Sequence, residues 1–182
     1  GCHSCVALSD DGGASWRVGA VGQLGTREAQ LARVSSAAGD DGARALYAAE
    51  RNMAAHPAHR GAFVSGDGGE AAGARISRTA LPEPCTDDWT GIVASVLEVE
   101  APDGGGVLLF SAPNSSTARE DLVVRASRDG GATWSRGLLA RAGPAGYSDL
   151  APLNATHFAL LFEAGDAPGD YAARVEFAAV AL

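Results

Sequence analysis

Four side chains in this sequence are of types that can do chemistry together: the phenol of Tyr147, the carboxylate of Glu28 and the guanidinium groups of Arg51 and Arg119. A phenol is a usable nucleophile, but near neutral pH it ordinarily keeps its proton and needs a neighbouring base, a role a carboxylate can fill. A guanidinium presents a planar, permanently charged fork that grips a carboxylate at two points. Each residue taken singly has a plainer reading. The 14 basic residues are all arginine, so one Arg by itself is a surface charge. Glu28 alone is a solvated charge at a strand end, and Tyr147, following Gly146, is an aromatic packed in a turn. Glu163, at the end of an apolar strand, is a secondary and structural candidate. Only their convergence would make a site.

Positioning such groups requires a scaffold, and the composition narrows its class. The chain has 182 residues, 46% of them hydrophobic, with 24 glycines and few aromatics. That mix suits many short strands joined by tight turns around a single core. A formal net charge of −8 argues against nucleic acid or an anionic membrane as partner. No apolar run reaches the roughly 18 residues of a membrane helix. The chain opens at Gly1 and its single methionine is Met53, so an upstream portion is expected. Cys2 and Cys5 form a C-x-x-C without a second pair, and Cys85 stands apart. A disulfide or buried thiols is therefore the expectation rather than a zinc site. Asn114-Ser115-Ser116 and Asn154-Ala155-Thr156 fit the N-glycosylation sequon and lean toward the secretory route.

An internal repeat sets the architecture. Ser9–Trp16 reads SDDGGASW, Ser127–Trp134 reads SRDGGATW, and between them Ser65–Ala72 reads SGDGGEAA, which has lost its Trp. The pattern is that of the Asp-box hairpin, recurring at roughly sixty-residue intervals. Its Asp can fold back onto turn N–H groups, Gly13, Gly69 and Gly131 can take positive φ, and Trp16 and Trp134 are expected to staple their hairpins. A calcium loop is disfavoured because the alternating acids and closing Glu of an EF-hand are absent. Strand patterns cover Cys5–Leu8, Ala29–Val34, Arg44–Glu50, Ile92–Val99, Val107–Ser111, Leu122–Ser127, Phe158–Phe162 and Arg174–Leu182, with turns at Gly39–Gly42 and Asp103–Gly106. Units of this size with about four strands each describe propeller blades, and about three fit. Three blades leave apolar flanks uncovered.

Four motifs, in order, resemble the C-terminal half of the sialidase (neuraminidase) family, with a pattern nearest its animal lysosomal branch. Arg27-Glu28-Ala29-Gln30-Leu31 is similar to an E-x-Q segment whose Glu is the base. Ala49-Glu50-Arg51-Asn52 resembles N-A-R-N, with Ala49 in place of the usual Asn. Phe110-Ser111-Ala112-Pro113 with Ala118-Arg119-Glu120-Asp121-Leu122 resembles the segment carrying another arginine of the carboxylate-binding triad. Gly143-Pro144-Ala145-Gly146-Tyr147-Ser148-Asp149-Leu150 is similar to the segment presenting a nucleophilic Tyr, and Leu161-Phe162-Glu163 to the L-Y-E that follows it.

The resemblance implies an all-β partial propeller, half of a six-bladed one, with residues 1–182 as its C-terminal half and the N-terminal half expected as its partner. It implies a retaining exo-α-sialidase acting on sialylated glycans of glycoproteins, oligosaccharides or gangliosides, with no cofactor and no metal. Tyr147 and Glu28 would be catalytic, and Arg51 and Arg119 would bind the substrate carboxylate. A neutral phenol suits a substrate whose own carboxylate would repel an anionic nucleophile. The family's acid/base Asp and first triad Arg have no counterpart here, and Asp87 and Asp88 follow Glu28 in the wrong order to serve. The chain alone is therefore expected to be nearly inactive. Lysosomal or secreted placement follows from the same resemblance, with membrane association open. A non-catalytic Asp-box propeller, or a degenerate sialidase binding glycans, is the alternative.

Overall fold

A computed structural model of the chain describes residues 1–35, 45–52, 60–72 and 94–182. Cys85, Asp87, Asp88 and the expected turn at Gly39–Gly42 lie outside the described residues. Within them the chain is all-β. In order the strands are β1 (His3–Leu8), β2 (Arg17–Leu24), β3 (Thr26–Arg33), β4 (Leu46–Asn52), β5 (Gly61–Ser65), β6 (Ser95–Glu100), β7 (Gly106–Pro113), β8 (Glu120–Ser127), β9 (Leu138–Asn154), β10 (His157–Ala164) and β11 (Arg174–Ala181).

The strands pair antiparallel as β1–β2, as β3–β4–β5 and as a six-stranded ladder running from β6 to β11 in chain order. That ladder is two blades sharing one strand. The first part of β9 pairs with β8 at Leu138, Leu139, Arg141 and Pro144, and the second part pairs with β10 from Ala145 to Asn154. Gly143, at φ 77°, stands where the partner changes. The second and third Asp-boxes follow the third strands, β5 and β8, of their blades, and the first follows β1 of the two-stranded sheet, so the sequence repeat is out of phase with the blades. The result is a partial propeller.

Alternation in β10 explains how a blade buries one face. Phe158, Leu160, Phe162 and Ala164 point into a core shared with Val107, Leu109, Leu122 and Leu150. Each such Leu or Phe contributes about 2–3 kcal/mol by leaving water. A second core between blades gathers Tyr47, Val96, Leu108 and Phe110. Leu161, Val175 and Phe177 stay exposed on the opposite face of the last blade, the uncovered flank that the blade count implies.

Three strands escaped the pattern. β2 (RVGAVGQL) carries Gly19 and Gly22, which read as breakers. They are glycines because a Cβ at Gly19 would strike the Gly69 carbonyl and one at Gly22 the Glu50 carboxylate. β5 is short, and β9 holds two glycines and two prolines that its change of partner tolerates. Cys2 and Cys5 correct another expectation. Both are free and exposed, Cys2 ahead of edge strand β1 and Cys5 on its exposed side.

The Asp-boxes repeat one hydrogen-bond pattern. Ser9, Ser65 and Ser127 each donate to the Asp two residues on, and each accepts the N–H of Gly13, Gly69 or Gly131. Asp11, Asp67 and Asp129 then accept N–H groups from Ser15, Glu70 and Thr133 at 2.8–3.0 Å. The tryptophans diverge. Trp16 is 65% exposed and donates to its own Gly13 carbonyl. Trp134 instead lies edge-on to Tyr47 and Phe110, with centroids 6.0 and 5.6 Å away, joining two blades rather than stapling one hairpin.

Hydrogen bonds from the Ser15 side chain and backbone, with help from Ser9, hold Asp11 at about 2, below the ordinary 3.8. A depressed folded-state value means the unfolded chain binds the extra proton first, so stability rises with pH across this window. The contribution is present above about pH 4 and lost on acidification toward pH 2. Asp11→Asn should flatten that part of the acid limb in urea midpoints measured from pH 5 to 2 on the whole protein. An unchanged limb would disprove the role.

Candidate active site

Three of the four candidate segments lie beside a β-bulge, where one strand carries an extra residue and re-aims its side chains. On β3, Arg27 pairs with Arg51 and Gln30 with Ala49, which leaves one residue more on β3 than on β4. Glu28 sits in that bulge at φ 42°, a left-handed conformation unusual for a residue with a side chain. On β9, Ala145 pairs with Ala164 and Ser148 with Phe162, so Gly146 and Tyr147 form a second bulge opposite Glu163. A third irregularity separates Glu120 from Leu122, with Asp121 at φ 57° just after Arg119. Strained backbone at Glu28 and Asp121 is a known companion of functional sites.

The bulges are tied down by named bonds. The Tyr147 N–H donates to Glu163 Oε2 at 3.0 Å, so the carboxylate replaces the missing ladder carbonyl. Gly146 must lack a side chain, since a Cβ there would run into the same carboxylate. Asp121 Oδ1 accepts from Gly143 N at 2.8 Å, and the Arg119 carbonyl accepts from Ala145 N at 3.0 Å. Ser148 shares a 2.8 Å hydroxyl contact with Ser111 of the F-S-A-P segment.

The structure brings the four expected side chains together around Tyr147. Arg51 Nη1 donates to Glu28 Oε2 at 2.5 Å and to the Tyr147 hydroxyl at 3.3 Å. The Arg51 side chain is 9% exposed, whereas that of Glu28 is 43% exposed. Burial works against the Arg51 charge, but the Glu28 carboxylate and the Tyr147 oxygen outweigh it and raise the guanidinium above its usual range. Arg119 spans two rings, its Cζ 5.2 Å from the Tyr147 centroid and 4.4 Å from that of Tyr171. An aromatic-walled surface carrying two guanidinium groups thus forms within an acidic chain. It can hold a carboxylate and offer a phenol with a base nearby.

The hollow beside Tyr147 measures about 190 Å³ and is walled by Tyr147, Ser148, Asp149, Leu161, Glu163 and neighbours on β10 and β11. Glu28 and the two arginines do not line it. A larger apolar cavity of about 260 Å³ lies at the Asp-box end, between Val107, Leu138 and Val180, away from this cluster.

Two features were not legible as site features. Tyr171 belongs to the loop GDAPGDY between β10 and β11, where no motif flags it. Gln30 and Asp149 lay within quoted motifs, but nothing in the sequence joins them; in the fold they touch.

Residues 1–160 match the family described as the BNR repeat-like domain. The chain is 32% identical to a sialidase of Micromonospora viridifaciens over 171 residues, covering 91% of this chain and 24% of that protein. It is 30% identical to Sialidase-3 of Bos taurus over 199 residues, covering 90% of this chain and 45% of that one. Bacterial and animal sialidases are thus both relatives, and the chain spans only a quarter to under half of their length. Among solved structures, the Hadza microbial sialidase Hz136 superposes with a TM-score of 0.78 at 28% identity, covering 99% of this chain and 32% of that one.

Proposed function

Proceeding from the fact that this chain belongs to the BNR repeat-like domain family, we propose that it is part of a retaining exo-α-sialidase that releases terminal sialic acid from glycans. The observation that carries the reading is one guanidinium nitrogen, Arg51 Nη1, shared between the Glu28 carboxylate and the Tyr147 phenol. A binding propeller has no use for a carboxylate and a phenol held side by side under a buried arginine.

The substrate's carboxylate competes with Glu28 for the Arg51 fork, and Arg119 closes on it from beside Tyr171. Glu28, released from full pairing, takes the Tyr147 proton as the phenolic oxygen attacks the anomeric carbon. The new bond joins Tyr147 oxygen to that carbon, and the bond to the leaving alcohol breaks. Water then displaces the tyrosine, losing a proton to the conjugate base of the acid that protonated the leaving alcohol, while Glu28 returns its proton to the phenolate, and the configuration at carbon is restored. Glu163 keeps the Tyr147 backbone in register throughout.

An acid to protonate the leaving group and a further arginine for the carboxylate would come from additional blades seated on the exposed flank of Leu161, Val175 and Phe177. In this reading residues 1–182 are the C-terminal half of one propeller. The test is the full-length protein on an aryl α-sialoside, with proton NMR following the first-formed sugar. Hydrolysis giving the α-anomer of sialic acid is expected, and residues 1–182 alone should show almost none. No hydrolysis, or a first-formed β-anomer, would refute the proposal.

A further inference from the structure

Two residues past Glu28 stands Gln30, and two residues past Tyr147 stands Asp149; neither side chain has a part in the chemistry above. They meet across separate sheets. Gln30 Nε2 donates to Asp149 Oδ1 at 3.3 Å, while Gln30 Oε1 accepts from Val96 N at 3.1 Å. The same Asp149 oxygen accepts from Ser95 Oγ at 3.0 Å and from Leu150 N at 3.1 Å. Leu150 N also donates to Ser95 Oγ at 2.9 Å. Strand β6, which supplies Ser95 and Val96, thereby links β3 to β9.

The location of this knot is what gives it meaning. β3 and β9 belong to different sheets, so no shared ladder sets their separation. Both reacting groups sit in bulges, where an extra residue loosens the register. Gln30 opposite Ala49 is the first regular pair after the β3 bulge, and Asp149 opposite Leu161 lies in the regular run after the β9 bulge. The knot therefore grips each strand in its regular part, one short lever arm of about 7 Å from each reacting residue.

We propose that the Gln30–Asp149–Ser95 knot is a positioning device that sets the distance between the Glu28 carboxylate and the Tyr147 phenol; this rests on the reading of those two as base and nucleophile. Proton transfer and attack are steep in distance, and a misplacement of about 1 Å can cost about a hundredfold in rate.

A charge-swap cycle in the full-length protein tests it. Gln30→Glu sets two carboxylates face to face and removes the donor that Asp149 accepts from. The expected result is a fall in kcat of about 30-fold with KM within about threefold of the parent, the split that misplacement without lost binding gives. Adding Asp149→Asn restores complementarity: the introduced carboxylate accepts from Val96 N and from the introduced amide, whose oxygen keeps Ser95 and Leu150. This pair should return kcat to within about threefold of the parent, a coupling that independent sites do not show. A kcat unchanged in the single variant, or unrescued in the double, would overturn the proposal.

A second readout needs no turnover. The Tyr147 ring resonance, assigned by its loss in Tyr147→Phe, should be displaced in Gln30→Glu and return in the double variant. Should the parent fail to cleave sialosides, the functional reading falls, and this resonance alone decides the knot: a reversible displacement supports it and an unmoved resonance ends it. If Gln30→Glu does not fold, Gln30→Met, which lacks both hydrogen bonds, is measured in its place: a fall in kcat with KM nearly unchanged supports the proposal, and an unchanged kcat overturns it.

Discussion

Tyr147→Phe in the full-length protein should reduce kcat on an aryl sialoside by about a thousandfold or more, since it deletes both the attacking oxygen and the proton it gives up. The change removes one oxygen from a half-buried ring. The Arg119 contact is to the ring face and survives. The Tyr147 N–H bond to Glu163 is a backbone bond and survives as well. Arg51 loses one 3.3 Å donor contact but keeps Glu28. Folding should therefore be nearly unchanged, with unfolding midpoints close to the parent, and KM should move little because the carboxylate grip is intact. Single-turnover measurements should also lose the burst that a covalent intermediate produces. Parent-like turnover in this variant would remove Tyr147 from the chemistry.

How much of this could be read from the sequence depends on the range of the interaction. Asp-boxes are local: Ser9, Asp11 and Gly13 bond within one turn, so their types and spacing announce the hairpin. Strands such as β10 announce themselves by alternation. β9 does not, because its prolines and glycines mark a change of partner between β8 and β10, and a partner change has no period. Tyr147 accordingly reads as a turn residue and stands in a strand, aimed by a bulge. Motif order pointed to Tyr147, Glu28, Arg51 and Arg119 as a group. The arrangement that joins them involves contacts across 23 and 96 positions of sequence. Tyr171 and the Gln30–Asp149 contact are likewise far in sequence from what they touch, so composition and spacing carry no trace of them. Trp134 shows the same limit, since its hairpin is local but the Tyr47 and Phe110 it meets belong to other strands.

Arg51→Lys separates charge from geometry at the centre of the cluster. The substitution keeps one positive charge, so Glu28 retains a counterion and the largely buried position is not left with an unpaired carboxylate. What it loses is the fork. A lysine ammonium is a point charge that cannot reach Glu28 and the Tyr147 oxygen together while also gripping a substrate carboxylate at two points. One charged hydrogen bond is worth about 1.5–3 kcal/mol, so KM should rise about 10- to 150-fold. A drop in kcat should accompany it, because the nitrogen that holds phenol and carboxylate side by side is gone. A purely structural ion pair predicts the reverse pattern, with lowered thermal stability and unchanged kinetics in the protein that remains folded. Steady-state kinetics and inhibition by free sialic acid, measured beside unfolding midpoints, tell these apart. An unmoved KM would show that the substrate carboxylate is held elsewhere, and the arginine-centred reading of the site would fail with it.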